Sequence, residues 1–92
     1  MIKKAELRIS GRVQGVFYRA AVRQEAIRLG MSGYARNNND STVTVVALGE
    51  EAVLRELIQW CRKGPPEAHV ENVDASFSDP APDEQFKQFE IY

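Results

Sequence analysis

The segment Gly11-Arg12-Val13-Gln14-Gly15-Val16-Phe17-Tyr18-Arg19 gathers residue types suited to holding a phosphate-sized anion. Backbone amides that turn inward from a glycine-containing loop, next to the positive end of a helix dipole, form a cradle for phosphate oxygens. Arg19 would complete it, because a guanidinium presents a planar fork of donors and stays charged at any working pH, where lysine acts as a point charge. Taken alone, the segment supports two readings. In one, the glycines only turn the chain and Arg19 is a solvated residue at a helix start; the G-x-x-x-x-G-K-[ST] phosphate loop is absent. In the other, an anion is bound, which removes the conflict of about 0.3 to 1 kcal/mol between a cation in the first helical turn and the macrodipole.

The elements that would position this segment follow from the apolar pattern. Ala5, Leu7 and Ile9 alternate with Glu6, Arg8 and Ser10, as in a strand with one buried face. After the turn from Gly11 to Gly15, Tyr18, Val22, Ala26 and Leu29 recur at helical spacing until Gly30 stops the helix. Met31 to Asn37 and Thr42 to Leu48 read as two strands joined by the turn cluster Asn38, Asn39, Asp40 and Ser41. Glu50 and Glu51 open a second helix with the stripe Val53, Leu54, Leu57, Ile58 and Cys61, ended by Gly64 and two prolines. Val73, Ala75 and Phe77 alternate as a fourth strand. Val70 falls on the opposite parity, which predicts a bulge or an irregular entry. Asp79 to Glu84 is a loop, and Phe89 and Ile91 mark a short final strand.

The order β-α-β-β-α-β plus a terminal strand predicts an α+β, ferredoxin-like split β-α-β sandwich, an antiparallel sheet with both helices on one face. The first two strands should run parallel, with the third slotted between them. The loop after the first strand and the end of the second then share one rim, about 10 Å apart.

Composition narrows the function. The 92 residues form one expected domain spanning 1–92, of which 43% are hydrophobic. The net charge of -1 argues against the strongly basic footprint of a nucleic-acid binder. Cys61 is the only cysteine, so an intramolecular disulfide and zinc spacing of the C-x-x-C type are excluded, and a reducing compartment fits. Met1 to Ser10 has no apolar core of a leader, and no stretch approaches the ~20 residues that span a bilayer. A soluble cytoplasmic monomer is expected.

Gly11 to Arg19 resembles the acylphosphatase signature G-x-V-Q-G-V-x-[FY]-R at every specified position. Gly33-Tyr34-Ala35-Arg36-Asn37, with Val43 and Gly49, is similar to that family's second signature. Gly64-Pro65-Pro66-Glu67-Ala68-His69-Val70, then Val73, resembles its G-P-P-x-A-x-V-x-x-V stretch, and Phe89-Glu90-Ile91-Tyr92 its usual ending. The resemblance implies hydrolysis of the carboxyl–phosphate anhydride of small acyl phosphates, without metal or cofactor. Inorganic phosphate or similar anions are the implied product or inhibitors. It further implies that Arg19 binds the substrate phosphate and that Asn37 positions the attacking water. Backbone amides around Gly15, Val16, Phe17 and Tyr18 are implied to wrap the phosphate oxygens. The shared rim agrees with these roles, since Arg19 starts a helix and Asn37 ends a strand.

Ser41 departs from the pattern, standing where the family usually has glycine. If the turn needs a positive φ there, serine costs on the order of 1 kcal/mol, unless Asn39 or Asp40 takes the left-handed conformation instead. The remaining candidates have plain readings. His69 lacks an acid or cysteine partner nearby in sequence, Cys61 lies on an apolar stripe, Asn38 and Asn39 serve the turn, and Arg12 is an exposed loop charge. Trp60, Phe77, Phe86 and Phe89 read as packing, since the interleaved basic residues of a base-stacking platform are missing. Two rivals remain in view: a non-catalytic anion-binding module on the same scaffold, which would need the cradle but not Asn37, and a single-stranded RNA binder using the sheet face.

Overall fold

The computed structural model describes residues 1–92 as β1 (Ile2–Arg12), α1 (Tyr18–Arg28), β2 (Ser32–Asn37), β3 (Val43–Glu50), α2 (Glu51–Lys63), β4 (His69–Ser78) and β5 (Phe89–Ile91). The strands form one sheet in the order β4-β1-β3-β2-β5. β3 lies between β1 and β2 and runs antiparallel to both, so β1 and β2 are parallel and end at one rim, as expected.

The alternation in β1 places Ala5, Leu7 and Ile9 in the core with Val43, Val45 and Ala47 of β3. Val22 and Ala26 of α1 and Leu54, Leu57, Ile58 and Cys61 of α2 pack onto this face. Burying each large aliphatic side chain contributes about 1.5 to 3 kcal/mol, so the apolar stripe of α2 fixes the helix to the sheet. Glu51 in its first turn and Arg62 and Lys63 in its last suit the helix dipole.

Two details go beyond the sequence reading. The pairing of β1 with β4 shifts register between Ser10, opposite Asn72, and Gly11, opposite Val70, leaving Glu71 as the extra residue. This bulge accounts for the parity of Val70. It also carries β1 through Arg12, beyond the turn expected from Gly11: at Gly11 (φ 118) a Cβ would fall 2.2 Å from the His69 carbonyl oxygen. The four long strands pair antiparallel, and the short fifth adds a parallel pairing, Gly33 to Phe89 and Ala35 to Ile91, that makes the sheet mixed. Ser78 finishes opposite Lys4, and β5 begins beside Gly33, near the same end of the sheet. A strand starting from that end must run with β1 and β2.

Candidate active site

Between β1 and α1 the chain alternates inward and outward. Val13, Val16 and Tyr18 are buried, while Gly15 and Phe17 face out in the left-handed region at φ 74 and 62. The Tyr18 hydroxyl donates to the carbonyl oxygen of Cys61 on α2 at 2.8 Å, anchoring the helix start from below. Burial pushes that phenol far above its ordinary range. With alternate side chains pinned, the backbone amides are presented rather than consumed. None of the N–H groups of Gly15, Val16 and Phe17 donates to a carbonyl or side chain, and the first amides of a helix have no intrahelical acceptor. The Phe17 carbonyl accepts from Ala21 N–H at 3.0 Å to begin α1, with no side-chain cap and no acidic residue in the first turn. The helix start is electropositive and uncompensated.

Gly15, Phe17, Tyr18 and Arg19 line one cavity of 280 Å³, together with Val13, Ala20 and Ile91. Val16 is buried in the core and contributes its backbone only. Arg19 Nη1 donates to the Tyr92 carbonyl oxygen at 2.5 Å, and Tyr92 N–H donates to the Ala35 carbonyl at 2.9 Å. The guanidinium is thereby held at the end of β5, beside the strand that ends at Asn37. Asn37 shares the parity of buried Ala35, so it faces the helical side of the sheet. Its side-chain oxygen is buried and accepts no hydrogen bond. Asn37 is not among the residues lining the Arg19 cavity; it stands at the neighbouring strand end.

Gln14 couples the two halves of this rim. Its Nε2 donates to the carbonyls of Asn38 and Thr42, both at 2.9 Å, and so ties the loop before α1 to the base of the β2–β3 turn. Asn38 does more than turn the chain: its Nδ2 donates to Thr42 Oγ1 and Thr44 Oγ1 at 2.9 and 2.8 Å. Ser41 N–H closes the turn onto the Asn38 carbonyl at 3.3 Å, and Ser41 itself takes φ 74. Of the three turn residues considered, serine bears the left-handed conformation, at the position where a three-residue hairpin loop favours glycine. Asp40 braces the turn by accepting from Thr42 N–H and Oγ1, which holds its carboxyl below the ordinary value, with Arg8 adding to the effect.

Sequence reasoning passed over the hydrogen bonds of Gln14 and Tyr92 that hold this rim together. A long amide inside a glycine loop is the one signal that pointed to Gln14, while Tyr92 becomes visible only through the pairing of β5 with β2. Elsewhere the plain readings agree with the geometry. Cys61 is fully buried, and burial pushes its thiol up to about 12, well removed from a nucleophile at neutral pH. His69 is exposed on β4, opposite Arg12. Trp60 packs against Tyr18 at 6.4 Å, and Phe86 sits edge-on to Tyr34 at 5.7 Å, which also meets Tyr92. These aromatics occupy one another rather than offering free faces for bases. No group of three or more His, Cys, Asp or Glu side chains could hold a metal ion, and no helix is long and apolar enough to cross a membrane.

The acylphosphatase family model matches residues 5–91. The chain is 48% identical over 83 residues to an acylphosphatase of Halorhodospira halophila, covering 89% of this chain and 90% of that protein. Among solved structures, an acylphosphatase from Coxiella burnetii superimposes with a TM-score of 0.89 at 33% identity, covering 99% of this chain and 93% of the other. The acylphosphatase from Bacillus subtilis gives 0.91 at 27% identity, over 100% and 99%.

Proposed function

Because this chain belongs to the acylphosphatase family and is a hydrolase of acyl phosphates, we propose that Arg19, Asn37 and the amides of Gly15 to Tyr18 carry the reaction. The phosphoryl oxygens lie in the amide cradle at the start of α1, and Arg19 supplies the charge that spreads over them in a loose transition state. Water held by Asn37 attacks phosphorus. The bond from phosphorus to the bridging oxygen breaks, its electron pair leaves with the carboxylate, and one water proton passes to a phosphoryl oxygen. The products are carboxylate and dihydrogen phosphate. A carboxylate is a stable leaving group, so departure needs little acid assistance, and the amide of Asn37 orients water without acting as a strong base.

The observation that carries the role of Asn37 is its buried, unpartnered oxygen. Leaving an acceptor unsatisfied costs about 1 to 3 kcal/mol, and a water that donates to it would offset that cost while turning a lone pair toward phosphorus. The cradle offers amide and guanidinium donors and no carboxylate or imidazole, a donor set fitted to an anion rather than to a cation. On this reading the chain is a metal-independent, single-domain cytoplasmic monomer acting on a small molecule. Hydrolysis of acetyl phosphate should persist in a chelator, fall by about 10² to 10³ in Asn37→Ala, and fall further in Arg19→Ala. Wild-type turnover in Arg19→Ala, or chelator inhibition reversed by a divalent ion, would overturn the assignment.

A further inference from the structure

The last strand is the least anchored part of the rim. β5 pairs with β2 over a short stretch, flanked by Gly33 N–H donating to the Gln88 carbonyl at 3.2 Å and Tyr92 N–H donating to that of Ala35 at 2.9 Å. Phe89 is fully buried, but Glu90, Ile91 and Tyr92 beyond it are exposed. This exposed end nonetheless supplies the Tyr92 carbonyl that holds Arg19 and the Ile91 side chain that lines its cavity. An edge strand so short gains little from its own pairing. Arg23 grips it from α1. The side chain is exposed and four residues on from Arg19, and its Nε–H donates to the Phe89 carbonyl at 3.0 Å rather than to a carboxylate. Positions i and i+4 share one helix face, so the two guanidiniums repel, and both offset that repulsion at backbone carbonyls of the same segment.

We propose that Arg23 is a positioning residue for the hydrolysis: it fixes β5 at Phe89, and β5 in turn fixes the Tyr92 carbonyl against which the Arg19 guanidinium is oriented. This rests on Arg19 binding the phosphoryl group. The two arginines stand about 6 Å apart along the helix axis and their acceptors about 10 Å apart along the chain, in opposite order, so together they clip the strand at two points. With the Arg23 clip released, the exposed end of β5 pivots at Phe89 and carries the Tyr92 carbonyl with it. Arg19 then samples orientations that miss the phosphoryl oxygens, and a displacement of about 1 Å can cost up to about 10² in rate.

Two substitutions separate the hydrogen bond from the charge. Glutamine places its Nε2 where arginine places Nε, counted in bonds from the backbone, and so keeps a donor without the charge; methionine matches the reach and donates nothing. Arg23→Met should lower kcat for acetyl phosphate about tenfold, with a smaller change in KM, and should lower the heteronuclear NOE of the Arg19 Nε–H as that side chain loosens. Arg23→Gln should restore most of the rate and of the NOE. Arg23→Gln as slow as Arg23→Met would place the effect in the charge and overturn the role of Arg23. So would an Arg23→Met variant that matches wild type, or one that is slow while the Arg19 NOE is unchanged. No turnover of acetyl phosphate by the wild-type chain would instead overturn the role of Arg19, and that of Arg23 with it.

Discussion

The two helices begin in opposite ways. α2 opens on Glu51, closes on Arg62 and Lys63, and buries Leu54, Leu57, Ile58 and Cys61 along one stripe. α1 opens on an uncapped left-handed Phe17, has no acid in its first turn, places Arg19 there instead, and buries only Tyr18, Val22 and Ala26. Charge, cap and stripe agree in α2, which is how a helix is held for stability. In α1 the same rules are broken at one end only, beside the unpartnered amides. A local conflict confined to a helix start, in an otherwise consistent chain, is the conflict that the phosphate proposed to bind there would relieve.

The contrast can be broken from either side. Arg19→Ala should cut acetyl phosphate turnover by more than 10³ while equilibrium unfolding in urea shifts by less than about 1 kcal/mol, because the half-buried side chain lies outside the hydrophobic core and its proposed role is to bind substrate. Leu57→Ala in α2 should do the reverse, costing about 2 to 5 kcal/mol of stability and leaving the rate per folded molecule nearly unchanged. Comparable losses of rate and stability in both variants would remove the distinction. Gln14→Ala, which unties the loop before α1 from the β2–β3 turn, should lower kcat by about tenfold with a smaller change in KM, the pattern of misplaced groups rather than lost binding.

Smaller effects sharpen the comparison at the hairpin. Ser41→Gly should raise stability by about 0.5 to 1 kcal/mol, since the conformation at φ 74 is strained for serine and free for glycine. Thermal or urea unfolding that shows a loss instead would mean the Ser41 side chain stabilises the turn. Asp40 contributes the least. Its folded pKa lies below the unfolded value, so its contribution is present above about pH 4 and fades as the pH falls through the folded value. The protection of Thr42 N–H, measured against its intrinsic exchange rate at each pH, should therefore fall on acidification below about pH 4, and that acid step should vanish in Asp40→Asn.

Legibility in the sequence followed the range of the interactions. The alternation of Ala5, Leu7 and Ile9 and the stripe of α2 report burial directly, and the parity of Val70 points to a bulge or an irregular entry, of which the register shift between Ser10 and Gly11 is the bulge. Arg19 and Asn37 stood out because their signatures are contiguous. What bound them together did not, because Gln14 to Asn38 and Thr42, and Arg19 to Tyr92, are contacts between segments whose approach depends on strand register and on the route of residues 79–88. The hairpin fell between these cases. Turn chemistry narrowed the left-handed residue to Asn39, Asp40 or Ser41, but the choice belongs to the hydrogen bonds that close the loop.

The position of β1 has a kinetic consequence. This strand pairs on one side with β3, Ile2 opposite Glu50, and on the other with β4, Lys4 opposite Ser78. Neither pairing is local, and only the β2–β3 hairpin can zip up from a short turn. Loop-closure entropy must be met before most of the sheet gains anything, so folding should take milliseconds to seconds rather than microseconds. Throughout that interval the apolar edge of β1 stands open to other chains.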